Sequence, residues 1–153
     1  MDKSTPPGTA IIIGSDHAGW ELKEAVKEYL TSKGSAVEDV SEPKLNLEDD
    51  YPKYAFRVAK KVASGQFEKG IAVCGTGIGA SMAANRIRGA RAALCLTPEM
   101  ARMAKRHNNA NVLVLGGRIT QPGEAFMIVD AWMSAKFEGG RHLRRVELLD
   151  GVE

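Results

Sequence analysis

The hydrophobic pattern changes period repeatedly, from short continuous apolar runs to stretches with apolar residues three and four apart. Ala10-Ile11-Ile12-Ile13, stopping at Gly14, reads as a buried strand. Leu22, Ala25, Val26, Tyr29 and Leu30 then share one helical face, with Ser15 or Asp16 available as the N-cap and Gly34 as the stop. Ala36-Val37 with Val40 predicts a second strand, and residues 43–50 a polar loop. Asp50-Tyr51-Pro52 leads into a helix carried by Tyr54, Ala55, Val58, Ala59 and Val62 toward Gly65. Residues 70–74 form a third strand that runs into Gly75-Thr76-Gly77-Ile78-Gly79 and a helix over 80–87. Residues 91–96 read as the fourth strand, and Thr97-Pro98 as a helix cap with proline at the first helical position. That helix is expected to end near Arg106, broken by His107-Asn108-Asn109. Residues 111–115 make a fifth strand and 122–136 a last amphipathic helix, before a tail from Gly139 that is basic and then apolar.

Strands alternating with helices predict a Rossmann-like, three-layer α/β/α sandwich around a five-stranded parallel sheet. One domain is expected over 10–153, with 1–9 as a flexible extension and 153 residues enough for one core. In such sheets ligands bind beyond the carboxyl ends of the strands. Asp16 and His17 follow the first strand, and Cys74 to Gly79 the third; His107 instead closes the helix after the fourth.

Net charge is only +2, which argues against nucleic-acid or membrane-surface binding, so any anion must be met by a local cluster. Two cysteines offer no disulfide framework and suit a reducing compartment. The polar start, an apolar run over 10–13 too short for a signal core, and no stretch near the roughly 20 apolar residues of a membrane span make the cytoplasm the expected location.

Gly75, Gly77 and Gly79 expose backbone N–H groups at a helix start, which reads either as a tight turn or as an anion site. Gly75, Gly77 and Ala80 also satisfy a dinucleotide fingerprint, but that motif follows a first strand and needs an acidic residue at the end of the next; the fourth strand ends Leu94-Cys95-Leu96. Cys74 stands directly before the loop, where a helix dipole favours a thiolate, whereas Cys95 reads as a small buried hydrophobe. His17 reads as a surface turn or a ligand contact, His107 as a helix stop or an acid, and Arg141, Arg144 and Arg145 as a solvated tail or a phosphate grip. No H-x-x-x-H or C-x-x-C spacing supports a metal site from Asp16, His17, His107 and His142, and no cofactor is expected.

Taken together, Gly14-Ser15-Asp16-His17-Ala18-Gly19, Asp50-Tyr51-Pro52, Cys74-Gly75-Thr76-Gly77-Ile78-Gly79, Ala84-Asn85, Arg106-His107-Asn108, Gly116-Gly117-Arg118 and Glu138-Gly139-Gly140-Arg141-His142 resemble the ribose-5-phosphate isomerase B family, which includes allose- and galactose-6-phosphate isomerases. The resemblance implies Cys74 as the base that moves a proton between two sugar carbons, and Gly75, Gly77, Ile78 and Gly79 as the loop whose amides bind the enediolate. It implies Thr76 and His107 as the pair that opens the furanose ring, Asp16 and Tyr51 as substrate contacts, and Asn108 as a second hold on the enediolate. His17, Arg118, Arg141 and Arg145 would grip the phosphate. Family branches with a carboxylate base carry it after the loop, where this chain has Ala80 and Ser81. Having both the cysteine and the late histidine favours ribose 5-phosphate over galactose 6-phosphate. The resemblance also implies a homodimer, paired or not into a tetramer, with sites shared between subunits. A phosphosugar-binding module without catalysis remains the reading from another class; it would need neither the thiol nor the ring-opening acid.

Overall fold

A computed structural model describes residues 10–152. The expectation of a flexible extension over 1–9 lies outside the described residues. The elements alternate as expected: β1 (Ile11–Ser15), α1 (Trp20–Ser32), β2 (Val37–Asp39), α2 (Tyr51–Ala63), β3 (Lys69–Cys74), α3 (Ile78–Ala84), β4 (Ala92–Leu94), α4 (Pro98–Asn108), β5 (Val112–Gly116), α5 (Pro122–Ser134) and α6 (Arg141–Asp150).

All strand pairs are parallel, in the order β2-β1-β3-β5-β4. Because successive side chains in a strand point to opposite faces, each central strand divides its residues between two cores. Ile11, Ile13, Ile71, Val73, Leu113 and Leu115 pack with α1, α4 and α5 through Val26, Leu30, Ala101, Ile128 and Trp132. Ile12, Ala72, Cys74, Val112 and Val114 pack with α2 and α3 through Val58, Ala59, Val62, Ala80 and Ala84. The continuous apolar runs of the sequence are therefore strands covered on both faces. Cys74, the last residue of β3, belongs to the α2–α3 face.

Several boundaries differ from expectation, β4 and α5 being shorter than 91–96 and 122–136, and four differences bear on the site. Gly19, not Ser15 or Asp16, occupies the N-cap of α1, and Asp16 instead accepts from the Gly19 amide at 3.0 Å. The helix α3 stops at Ala84, two turns long, because Asn85 turns away to exchange two hydrogen bonds with Ala92. The helix α4 continues through His107 and Asn108, and the break falls at Asn109, whose left-handed backbone (φ +48°) forms the C-cap. The tail is a sixth helix, so Arg141 and Arg145 stand one turn apart on it.

Candidate active site

Strand order places a crevice between β1 and β3. From β1 the chain moves outward to β2; from β3 it crosses toward β5 and β4, so the two loops part where direction reverses. Asp16, His17 and Ala18 from the first loop, Cys74 to Thr76 and Ile78, Gly79 and Met82 from the second, Tyr51 at the start of α2, and Arg118 after β5 line one open cleft of ≈ 500 Å³.

The glycines shape this cleft by what they lack. Gly77 holds φ +82°, and a β-carbon there would lie 2.5 Å from Leu94 Cδ1. A β-carbon on Gly79 would meet the Tyr51 ring at 2.5 Å, so the close approach of α3 to α2 depends on it. The Gly77 amide donates to Cys74 Sγ at 3.2 Å, and the Ile78 amide to Thr76 Oγ1 at 3.3 Å. No side chain caps α3, which leaves its first-turn amides, those of Gly79 and Ala80, without a side-chain acceptor. The loop after β5 is tied to the same strand end, the amides of Gly117 and Arg118 donating to the carbonyls of Cys74 (2.7 Å) and Gly75 (2.8 Å).

Across the cleft, Asp49 holds His17 twice, accepting from its backbone amide at 2.9 Å and pairing with ring Nδ1 at 2.8 Å. That fixes the ring and leaves Nε2 as its uncommitted nitrogen. Burial raises the Asp16 carboxyl above its ordinary value, and the Gly19 amide offsets only part of that rise. Sequence reasoning missed Asp49: it directly precedes the Asp50-Tyr51-Pro52 motif, but its partner lies 32 residues away. Met82 was also missed, having been hidden in a helix of small residues.

His107, Asn108, Arg141 and Arg145 are absent from this cleft. The helix α4 starts beside the carboxyl ends of the strands and finishes before β5 begins, so His107 stands at the opposite end of the sheet from Cys74. There its ring stacks on His142 with centroids 4.3 Å apart, and Glu138 approaches both rings. Burial and the neighbouring His107 push His142 below its ordinary pKa. Asn108 lines a separate hollow of ≈ 620 Å³ with Arg86, Arg88 and Leu149. The cleft thus gathers Asp16, His17, Tyr51, Cys74, Gly75, Thr76, Ile78, Gly79 and Arg118; Gly77 lies within the loop but outside the lining, its amide turned to Cys74 Sγ, and one chain leaves His107, Asn108, Arg141 and Arg145 elsewhere.

The family model described as Ribose/Galactose Isomerase matches residues 11–149. The chain is 44% identical to ribose-5-phosphate isomerase B of Escherichia coli (strain K12) over 144 residues, 94% of this chain and 95% of that one. It superposes on the crystal structure of a ribose 5-phosphate isomerase from Thermotoga maritima with a TM-score of 0.91 at 53% identity, covering 94% and 99% of the two chains. For ribose-5-phosphate isomerase B from Mycoplasma genitalium with bound ribulose-5-phosphate the TM-score is 0.88 at 43% identity, covering 92% and 93%. Nearly the full length of each relative is matched, and the chain belongs to the ribose/galactose isomerase family of sugar-phosphate isomerases.

Proposed function

We propose that the protein interconverts ribose 5-phosphate and ribulose 5-phosphate through an enediolate, with Cys74 as the base. The observation that carries this reading is the placing of one thiol at the end of the central strand, its sulfur met by a loop amide and its cleft lined by His17 and Arg118. Thr76 and His107 open the furanose ring, one group taking the proton from the anomeric hydroxyl as the other delivers one to the ring oxygen. Cys74 then removes the proton from the carbon bearing the second hydroxyl and returns it to the former aldehyde carbon, while the proton of that hydroxyl passes to the former aldehyde oxygen, which leaves a ketone at the second carbon. Charge that develops on the oxygens meets the amides of the glycine loop, and Asp16 and Tyr51 orient the hydroxyls. The amides of Gly77 and Ile78 already have partners within the loop, which leaves Gly79 and Ala80 as the readiest donors.

His107, Asn108, Arg141 and Arg145, which stand away from the cleft, fit this chemistry if a second subunit supplies them. Ile78 and Met82, one turn apart on α3 at the cleft rim, are 53% and 65% exposed, and Leu148 and Leu149 are exposed on α6. A homodimer that covers these faces would bring His107, Asn108, Arg141 and Arg145 of one chain toward Cys74 of the other. Sugar phosphate is then held by His17 and Arg118 on one side and by the α6 arginines on the other.

Ribulose formation followed by absorbance tests the reading. Ribose 5-phosphate should turn over with a higher kcat/KM than allose 6-phosphate, galactose 6-phosphate or a tetrose phosphate, and Cys74→Ala should bind substrate with turnover reduced by about 10²-fold or more. A faster rate on another of these sugars would reassign the substrate, and an undiminished Cys74→Ala would remove the thiol from the mechanism.

A further inference from the structure

His17 follows the end of β1 with its side chain 29% exposed, whereas the Asp49 side chain, in the loop that leads into α2, is 5% exposed and stands behind the cleft lining. Two donors of this one histidine converge on one acceptor. The His17 amide reaches Asp49 Oδ1 at 2.9 Å, and ring Nδ1 meets the same oxygen at 2.8 Å. A side chain tied to the oxygen that its own backbone amide already engages has little freedom left at χ1 and χ2. The ring is thereby set in one orientation, with Nε2 left for a ligand in the cleft that His17 lines. Asp16, the other carboxyl facing His17, accepts from the Gly19 amide at 3.0 Å, so Asp49 is the acceptor that orients the ring.

Asp49 itself rests on a firm base. Its amide donates to the Asn46 carbonyl at 3.3 Å. Its carboxylate lies beside the buried Tyr54 of α2, whose phenol is pushed above its ordinary value by burial first and then by the Glu42 and Asp49 carboxylates. The bond to the ring is not what fastens the segment after β2. The Val40 amide donates to the Ile13 carbonyl at 2.8 Å and the Ser15 amide to Ser41 Oγ at 2.9 Å, which already tie it to β1.

We propose that Asp49 is a positioning residue for phosphate recognition, holding the His17 ring so that Nε2 is set to donate to a phosphate oxygen before the sugar phosphate arrives. The proposal deepens the isomerase reading and rests on its assignment of His17 to the phosphate. With phosphate bound, the ring donates from both nitrogens, one to Asp49 and one to the ligand, which is the protonated form of imidazole. A ring fixed beforehand loses no rotational freedom on binding, so the gain falls on affinity and not on the proton transfers at Cys74.

Calorimetric binding of inorganic phosphate and turnover of ribose 5-phosphate, both with the full-length protein, test this. Asp49→Ala should weaken phosphate and raise KM, each by about fivefold or more, with kcat within about twofold of wild type. In His17→Ala protein the further change Asp49→Ala should alter neither value beyond about 1.5-fold, because a residue that acts only through His17 has nothing left to act on. Asp49→Asn keeps an acceptor oxygen and should bind phosphate more tightly than Asp49→Ala. Thermal melts accompany each variant, and a loss that came from weakened folding would persist in the His17→Ala background. Equal losses with and without His17, a fall in kcat at unchanged KM, or Asp49→Asn no better than Asp49→Ala would overturn the proposal. If His17→Ala binds phosphate as tightly as wild type, His17 leaves the phosphate site and the proposal falls with that assignment. The phosphate titration needs no turnover, so a different sugar as substrate leaves this test standing.

Discussion

Cys74 ends β3 and Cys95 directly follows β4, in the two opposite cores of one sheet, and their surroundings assign them different chemistry. Cys95 is buried among Ala101, Leu113 and Leu115, and burial pushes its thiol up to about 11. At about pH 8 roughly one Cys95 in a thousand would be a thiolate. Cys74 instead lines the cleft with its sulfur against the Gly77 amide. Iodoacetate should therefore modify Cys74 first, and sugar phosphate should protect it; peptide mass mapping that finds Cys95 labelled ahead of Cys74 would refute this assignment. The distinction was legible in sequence, since one cysteine precedes three glycines and the other ends an apolar run. The hold of Asp49 on His17 was not legible, because it joins a polar loop to a strand end and no periodicity marks such a pair.

Among the elements, α1 carries the clearest exception to its own pattern. Lys23 falls between Leu22 and Val26 and is wholly buried, its ammonium 2.9 Å from Asp39 on β2 and 3.5 Å from the centre of the Trp20 ring. Burial alone would raise the Asp39 carboxyl, but Lys23, Lys27 and the Ser41 amide and hydroxyl outweigh it and lower it to about 2. A carboxyl lowered by folding stabilises the native state above its unfolded pKa and loses that contribution as pH falls through the folded value. The contribution, on the order of 2 kcal/mol, should be complete above about pH 4 and fade toward pH 2. Asp39→Asn should cost about 2–3 kcal/mol at neutral pH, Glu24 at 3.2 Å from Lys23 keeping the loss near the low end for a broken buried pair, and should flatten the acid limb of a urea-melt series. An unchanged acid limb would show that other carboxylates dominate it. The end of α4 teaches the same lesson about range: His-Asn-Asn reads as a break, but only Asn109 adopts the left-handed backbone, and the helix carries His107 and Asn108 to its last turn.

For the molecule as a whole, Cys74 and His107 stand at opposite ends of the sheet, and on the proposed mechanism that separation would make assembly part of the chemistry. If two chains share each site, inactive Cys74→Ala and His107→Ala proteins should regain activity when mixed and allowed to exchange subunits. Each mixed dimer then holds one site with both lesions and one intact site, so activity approaches about half of wild type per mixed dimer. Exchange confirmed by mass labelling with no recovered activity would place every site within one chain and would require another acid in place of His107.

The sequence by itself determined the α/β/α sandwich, the count of five strands, and Asp16, His17 and the run from Cys74 to Gly79 as strand-end candidates. These follow from local period and from glycine, proline and cysteine at strand ends, where short-range sterics and the strand–helix alternation leave few choices; Tyr51 and Arg118 came only from the resemblance to a known family. Only the tertiary structure decided the order β2-β1-β3-β5-β4, the burial of Lys23, the pairing of Asp49 with His17 and the gathering of His107, Glu138 and His142. Each of these depends on which distant segments the two cores press together, and packing between residues tens of positions apart leaves no periodic trace along the chain.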